Sequence, residues 1–321
     1  MVIVAYFLTA AVVIFLSVRL ARLTGMIQAK TNLSGAFVGG VLLAGITSTP
    51  ELVTTLTSVI FLKEGSMALG NVLGSNLFNI AIIALLFLIF YQRCRNGNIS
   101  PQHLKLDSYA IVINVLLLLV LFGIVRVEFL GLNLVSVLIL LTYLLSIKDL
   151  ASDEGGETKD DSPLTLRQVM FRFALFSVLL IAASILITYL SDLVGKQLNL
   201  GTTLAGALLL GVATSLPELT SCFTLAKEGN LNACFGNVVG SNIFNFFILF
   251  LADLFYSQDL YIMTKQSFYL VVCGTVSSLA LAVILLLKKR NSEKHLLYIV
   301  LSGIILLSYI TFITLSSVSG G

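Results

Sequence analysis

The sequence predicts an all-α polytopic membrane protein with ten transmembrane helices arranged as two inverted five-helix repeats. Three observations carry that prediction. Of 321 residues, 58% are hydrophobic and only 11% charged, with a mean hydropathy of +1.03; soluble domains carry about 25% charged residues. Apolar runs near the length of about 20 residues that a helix needs to cross a bilayer recur between polar punctuation. Two short motifs each occur twice, at almost the same spacing and five spans apart. Ten spans use most of the chain, which leaves no room for a soluble domain. Soluble, secreted, disordered and nucleic-acid-binding classes are thereby excluded, and the lipid bilayer is the expected surrounding.

The first run, 2–20, is too long for a signal peptide and lacks a small-residue cleavage site after a basic segment. It is read as the first span. Spans at 34–61, 67–91, 108–125 and 129–147 complete a first repeat, 1–147. Residues 148–166 form the one long polar connection, with Asp149, Asp153, Glu154, Glu157, Asp160 and Asp161, and read as a solvated acidic linker. Spans at 168–191, 201–226, 231–254, 266–287 and 296–316 make the second repeat, 167–321.

Basic residues set the expected orientation. With the N-terminus outside, fifteen Lys and Arg fall on the cytoplasmic side, against Lys63, Arg126, Lys196 and Lys265 on the other. This positive-inside bias places both termini outside, in a plasma (inner) membrane. Cys94, Cys222, Cys234 and Cys273 have no metal-ligand spacing and read as small buried hydrophobes. His103 and His295 read as residues of polar connections.

The repeat itself is specific. Residues 70–79, GNVLGSNLFN, and 236–245, GNVVGSNIFN, agree at eight of ten positions. TSTPEL (47–52) and TSLPEL (214–219) precede them, with the two Glu positions 167 residues apart and the two motif Ser positions 166 apart. Passing from one copy to the other crosses five spans, an odd number, so the copies run in opposite directions through the membrane. Transporters built this way bind their substrate near the midplane, where the repeats meet.

Fourteen of the sixteen acidic residues fall in loops or at span ends. Glu51 and Glu218 remain, each inside an apolar span and each in a repeated motif. A carboxylate at the bilayer centre costs about 2.5–3.5 kcal/mol on insertion scales, and no Lys, Arg or His lies mid-span to pair with it. The expected partner is a diffusible cation. Pro50 and Pro217 directly precede the two glutamates and free backbone carbonyls near Ile46/Thr47 and Ala213/Thr214. Ser75 with Asn79, and Ser241 with Asn245, are four apart and share a helix face. Carboxylate, carbonyl and hydroxyl oxygens suit Ca²⁺ or Na⁺ and argue against Zn²⁺ or Cu²⁺. Gly70, Gly74, Gly236 and Gly240 permit close helix approach. Asn71, Asn76, Asn237 and Asn242 read as hydrogen-bond links between helices.

The paired TSTPEL/TSLPEL and GN-x-x-GSN-x-FN segments resemble the two alpha-repeats of the sodium/calcium exchanger family, in the cation/calcium exchanger superfamily. The resemblance covers 34–90 and 201–254, and the ten-span layout extends it to most of the chain. It implies Ca²⁺/Na⁺ antiport by alternating access at a central cluster of cation sites, without a cofactor. By the same resemblance Glu51 and Glu218 are shared carboxylates, and Thr47 and Thr214 give backbone and hydroxyl oxygens. Ser48, Ser215, Ser75 and Ser241 line sodium sites, the carbonyls of Ala44 and Gly211 complete the outer positions, and Asn79 and Asn245 sit centrally. Spans 1 and 6 are implied to shift across the site.

Many members of that family carry an acid at one of the positions of Asn79 and Asn245, whereas here both are amides. The centre therefore holds two formal negative charges, which one Ca²⁺ or two Na⁺ neutralise. Ca²⁺/H⁺ exchange and an uncoupled cation channel are the competing expectations. An enzyme is not expected, because Ser75 and Ser241 have no nearby His or Lys in sequence. A monomer is the expected form.

Overall fold

A computed structural model describes residues 1–124, 127–129, 132–153, 162–198, 213–262, 264–290 and 292–319. The first half carries helices α1 (Val2–Lys30), α2 (Gly35–Thr47), α3 (Thr49–Leu62), α4 (Gly65–Ile89), α5 (Tyr91–Asn96), α6 (Gln102–Leu121) and α7 (Leu134–Ala151). The second carries α8 (Leu166–Gln197), α9 (Leu216–Lys227), α10 (Leu231–Phe255), α11 (Lys265–Lys289) and α12 (His295–Ser319). A short antiparallel hairpin, β1 (Glu128–Phe129) and β2 (Leu132–Asn133), precedes α7. Among the described residues eight helices are long and apolar enough to cross a bilayer, and the bent pair α2–α3 makes a ninth. The first half of the 201–226 span and residues 154–161 of the acidic linker lie outside the described residues.

Why α2 and α3 break is legible in the backbone. Ser48 leaves helical geometry at φ −88°, ψ 9°, and the axis bends by 41°. Pro50 then occupies the first turn of α3, where a missing N–H removes no helical hydrogen bond. Ser215 repeats the break at φ −95°, ψ 11°, with Pro217 in the first turn of α9. Each serine stands at an N-cap position, yet neither hydroxyl caps its own helix.

Side-chain contacts sort the connections to two ends of the bundle. At one end Arg22 pairs with Glu228 at 2.9 Å, Arg95 with Glu293 at 2.8 Å and Lys105 with Asp149 at 2.8 Å. Arg93 donates to the carbonyls of Ala226 and Lys227 there, at 3.3 and 2.6 Å. At the other end the Tyr256 hydroxyl donates to the Lys63 carbonyl at 3.0 Å, and the Asn133 N–H to Asp253 at 3.0 Å. Exposed ion pairs stabilise little, but they fix direction: α4 runs toward the basic end and α10 away from it. These two helices form the centre, with 72% and 61% of their apolar windows buried against 22% for α1 and for α12.

α2 crosses α10 at a seam of small residues. A methyl group placed on Gly240 would stand 2.3 Å from the Gly40 carbonyl oxygen, and one on Gly39 would stand 2.2 Å from that of Ala233. Gly74 has no such neighbour within 4 Å among the described residues. Gly240→Ala is therefore expected to lower folding stability by about 1–3 kcal/mol, the usual range for overpacking. Gly303→Ala, into open space, should be near neutral. Thermal unfolding in detergent, followed by size-exclusion chromatography, compares the two.

Four sequence expectations need correction. α6 begins at Gln102 rather than at 108, because His103, Leu106, Asp107 and Ala110, three and four residues apart, share its inward face and are buried. His103 is consequently fully buried, its Nε2 2.8 Å from Asn232 Oδ1, and not part of a connection. Asp107 is likewise no loop residue: it is 2% exposed, inside a spanning helix. Among the cysteines, Cys222 and Cys234 are joined as a disulfide between α9 and α10, Cα–Cα 4.7 Å. Cys94 and Cys273 are buried free thiols. Burial pushes the Cys94 thiol up to about 12, which keeps it protonated and inert.

Candidate cation site

Glu51 and Glu218 each sit in the first turn of a half-helix, α3 and α9, and each is 1% exposed. The two breaks bring them to one place. The Ser48 hydroxyl donates to Glu218 Oε1 at 3.1 Å, and the Ser215 hydroxyl approaches Glu51 Oε1 at 3.5 Å. Each serine thus gives its hydroxyl to the carboxylate of the opposite half, which explains why neither caps its own helix. Ser75 of α4 also donates to Glu51 Oε1, at 3.3 Å.

The remaining oxygens are left without donors. Glu51 Oε2, Glu218 Oε2, Asn79 Oδ1, Asn245 Oδ1 and Ser241 Oγ are buried with no hydrogen-bond partner among the described residues. For the two amides the cause is visible. Asn79 Nδ2 donates to Asn242 Oδ1 at 3.1 Å, and Asn245 Nδ2 donates to Asn76 Oδ1 at 3.0 Å. Each central amide is turned by an asparagine of the opposite half so that its carbonyl oxygen stays free. Asn76 also donates to the Asn242 carbonyl at 3.3 Å, tying α4 to α10.

The other predicted residues fall around this cluster. Thr47 and Ser48 are fully buried, and Thr214 and Ser215 are 2% and 1% exposed. The Thr47 hydroxyl lies 3.3 Å from both the Ala44 carbonyl and Asn237 Oδ1. The Ala44 carbonyl also accepts the Ser48 N–H at 3.0 Å, so it is engaged within its own helix. Gly211 lies outside the described residues. Asn71 donates to the Glu51 carbonyl at 3.2 Å and to Thr55 at 2.8 Å, fastening α3 to α4.

Sequence reasoning did not find the orienting role of Asn76 and Asn242, since a motif asparagine on a helix does not show which partner it meets. It also missed Asp107, which lies near Ser278 of α11 and whose Oδ2 has no hydrogen-bond partner among the described residues. Leu106 before it and Ala110 after it, four residues apart, are the signal that would have placed it inside a helix. It belongs to the α6–α11 contact and not to the carboxylate cluster.

Among the described residues no three His, Cys, Asp or Glu side chains gather as a soft-metal site. What converges instead is two carboxylates, two amide carbonyls and several hydroxyls, an all-oxygen set that fits hard cations. Buried carboxylate oxygens without donors are costly, and a cation among them removes that cost.

The pattern that defines the sodium/calcium exchanger protein family matches residues 1–147 and 169–318. A putative antiporter, CaxA of Alkalimonas amylolytica, is 28% identical over 244 residues, covering 68% of this chain and 69% of its own. The sodium/calcium exchanger MaX1 of Methanosarcina acetivorans is 45% identical over 62 residues, 19% of this chain and 18% of that one. The solved structure of the sodium-calcium exchanger NCX_Mj superposes with a TM-score of 0.71 at 20% identity, over 96% of this chain and 99% of that chain. At that identity the likeness is one of fold.

Proposed function

Because the chain belongs to the sodium/calcium exchanger protein family and is an integral membrane cation/calcium antiporter, we propose that it exchanges Ca²⁺ for Na⁺ at the Glu51–Glu218 cluster by alternating access. One observation carries this reading. Two carboxylates from opposite halves, each bonded to a serine of the other half, keep one oxygen apiece without a partner among the described residues, as do two central amide carbonyls. Residues 1–147 and 167–321 are the two inverted five-helix repeats, joined by the 148–166 linker, and both termini lie outside.

In this mechanism Glu51, Glu218, Asn79 and Asn245 hold Ca²⁺, while Na⁺ occupies positions bounded by the same carboxylates. Ser48, Ser215, Ser75 and Ser241 bound these positions, with Thr47, Thr214, Ala44 and Gly211 at their edges. Sharing oxygens makes occupancy by one ion exclude the other. α1 and α8 pack chiefly on each other, and their apolar windows are only 22% and 39% buried, which suits a pair that slides over the central helices. Moving an empty pair of carboxylates through the low-dielectric interior is unfavourable, so the cycle stays coupled.

Proteoliposomes loaded with Na⁺ and diluted into Na⁺-free buffer should take up ⁴⁵Ca²⁺ without a pH gradient. Uptake that appears only with a pH gradient would assign the carboxylates to Ca²⁺/H⁺ exchange. Downhill flux indifferent to both gradients would mark a channel.

A further inference from the structure

Far from the carboxylates, a cavity of about 410 Å³ opens at the basic end, between the α5–α6 connection and the last turn of α11. Lys288 and Lys289 stand on one wall, with Asn96, Asn98 and Ser100 opposite. Ile99, Leu104 and Leu285 supply its apolar part. Among the described residues no carboxylate lines it. The Lys288 ammonium donates to the Arg95 carbonyl, which holds it against the cavity wall, while Lys289 and Arg290 are exposed. Directly along the helix, Leu279, Val283 and Leu286 are 50%, 39% and 41% exposed. Their spacing of four and three residues makes one outward stripe, and Lys289 and Arg290 lie three and four residues past Leu286 on the same face.

We propose that this cavity binds the phosphate headgroup of an anionic phospholipid, with an acyl chain lying along the Leu279–Val283–Leu286 stripe. The cavity offers two ammonium groups and the side-chain amides of Asn96 and Asn98 to a phosphate; the Ser100 hydroxyl is taken by Asp153, which stands behind the wall and not among the described lining residues. A lipid is chosen over a free phosphate because the apolar stripe runs straight from the cationic mouth, and only a tethered acyl chain uses both. Basic residues at the end of a spanning helix, level with the headgroups, are where such attraction is strongest.

The chain contains no tryptophan, so Leu286→Trp supplies a single fluorescent reporter beside the cavity. Leu186→Trp, on the exposed face of α8, supplies a control. In vesicles of equimolar phosphatidylcholine and phosphatidylglycerol, bromine carried on the phosphatidylglycerol chains should quench the first reporter more strongly than bromine on phosphatidylcholine. The control should show no preference. Adding Lys288→Gln or Lys289→Gln should weaken the preference about fivefold each, the contribution of one lysine near an anionic surface. Should the reporter variant not fold, retention of phosphatidylglycerol by the otherwise unaltered chain and by Lys289→Gln, counted by native mass spectrometry, reads the same difference. Equal quenching by the two lipids, or a preference untouched by both lysine substitutions, would overturn the proposal. Loss of the preference on adding inorganic phosphate equimolar with the lipid would assign the cavity to a free anion and overturn it equally.

Discussion

Glu51→Gln and Glu218→Gln are each expected to abolish Na⁺-driven Ca²⁺ uptake while the protein still inserts and purifies normally. Glutamine keeps the shape of the side chain and one carbonyl oxygen, so the Ser75, Ser215 and Ser48 hydroxyls keep an acceptor. What disappears is a formal charge, one of only two among the side chains of the cluster. Removing one partner from a buried charge pair costs about 3–5 kcal/mol, which corresponds to roughly a hundredfold or greater loss of divalent-cation affinity. Because the two residues occupy equivalent positions, the two variants should fail alike. ⁴⁵Ca²⁺ uptake into Na⁺-loaded proteoliposomes measures transport, and size-exclusion chromatography measures folding. Full transport by either variant would remove the shared-carboxylate mechanism.

Asn242→Ala and Asn76→Ala should produce the second largest effect, although neither residue is placed among the ion ligands. Each holds the amide of a central asparagine from the other half, at 3.1 Å for Asn79 and 3.0 Å for Asn245. Without that acceptor the buried NH₂ group loses its partner, and the amide is free to rotate its nitrogen toward the cation. Substituting groups that orient metal ligands lowers metal affinity about 10–100-fold. The Ca²⁺ concentration for half-maximal uptake should rise by that factor, with maximal uptake recovering at high Ca²⁺. The two alanine variants should resemble each other, and both should be milder than the glutamine variants, in which a formal charge of the cluster is lost. A half-maximal concentration unchanged from the parent protein would show that the asparagines merely pack.

Much of the site could be read without coordinates. Glu51 and Glu218 stand out because charge is scarce in this chain and because both lie in duplicated motifs. The prolines before them announce a broken helix, and the structure puts the break at the serine two residues earlier. Asp107 and His103 were misplaced for the converse reason. Polar residues in the first turns of a helix look like a connection in sequence, whereas here they face neighbouring helices and are buried. The Cys222–Cys234 disulfide was equally hidden, since nothing in their spacing shows that the two helix ends lie side by side.

The sequence by itself determined that this chain lives in a membrane, that it is built twice over, and that two carboxylates sit in its apolar interior. Those properties follow from composition, periodicity and repetition, which are recorded locally along the chain. Only the tertiary structure decided that Ser48 serves Glu218 and Ser215 approaches Glu51, and that Asn242 and Asn76 turn the central amides. These pairs are separated by between 163 and 170 residues. Helical periodicity states which face a residue occupies; the packing of one helix against another decides what that face meets.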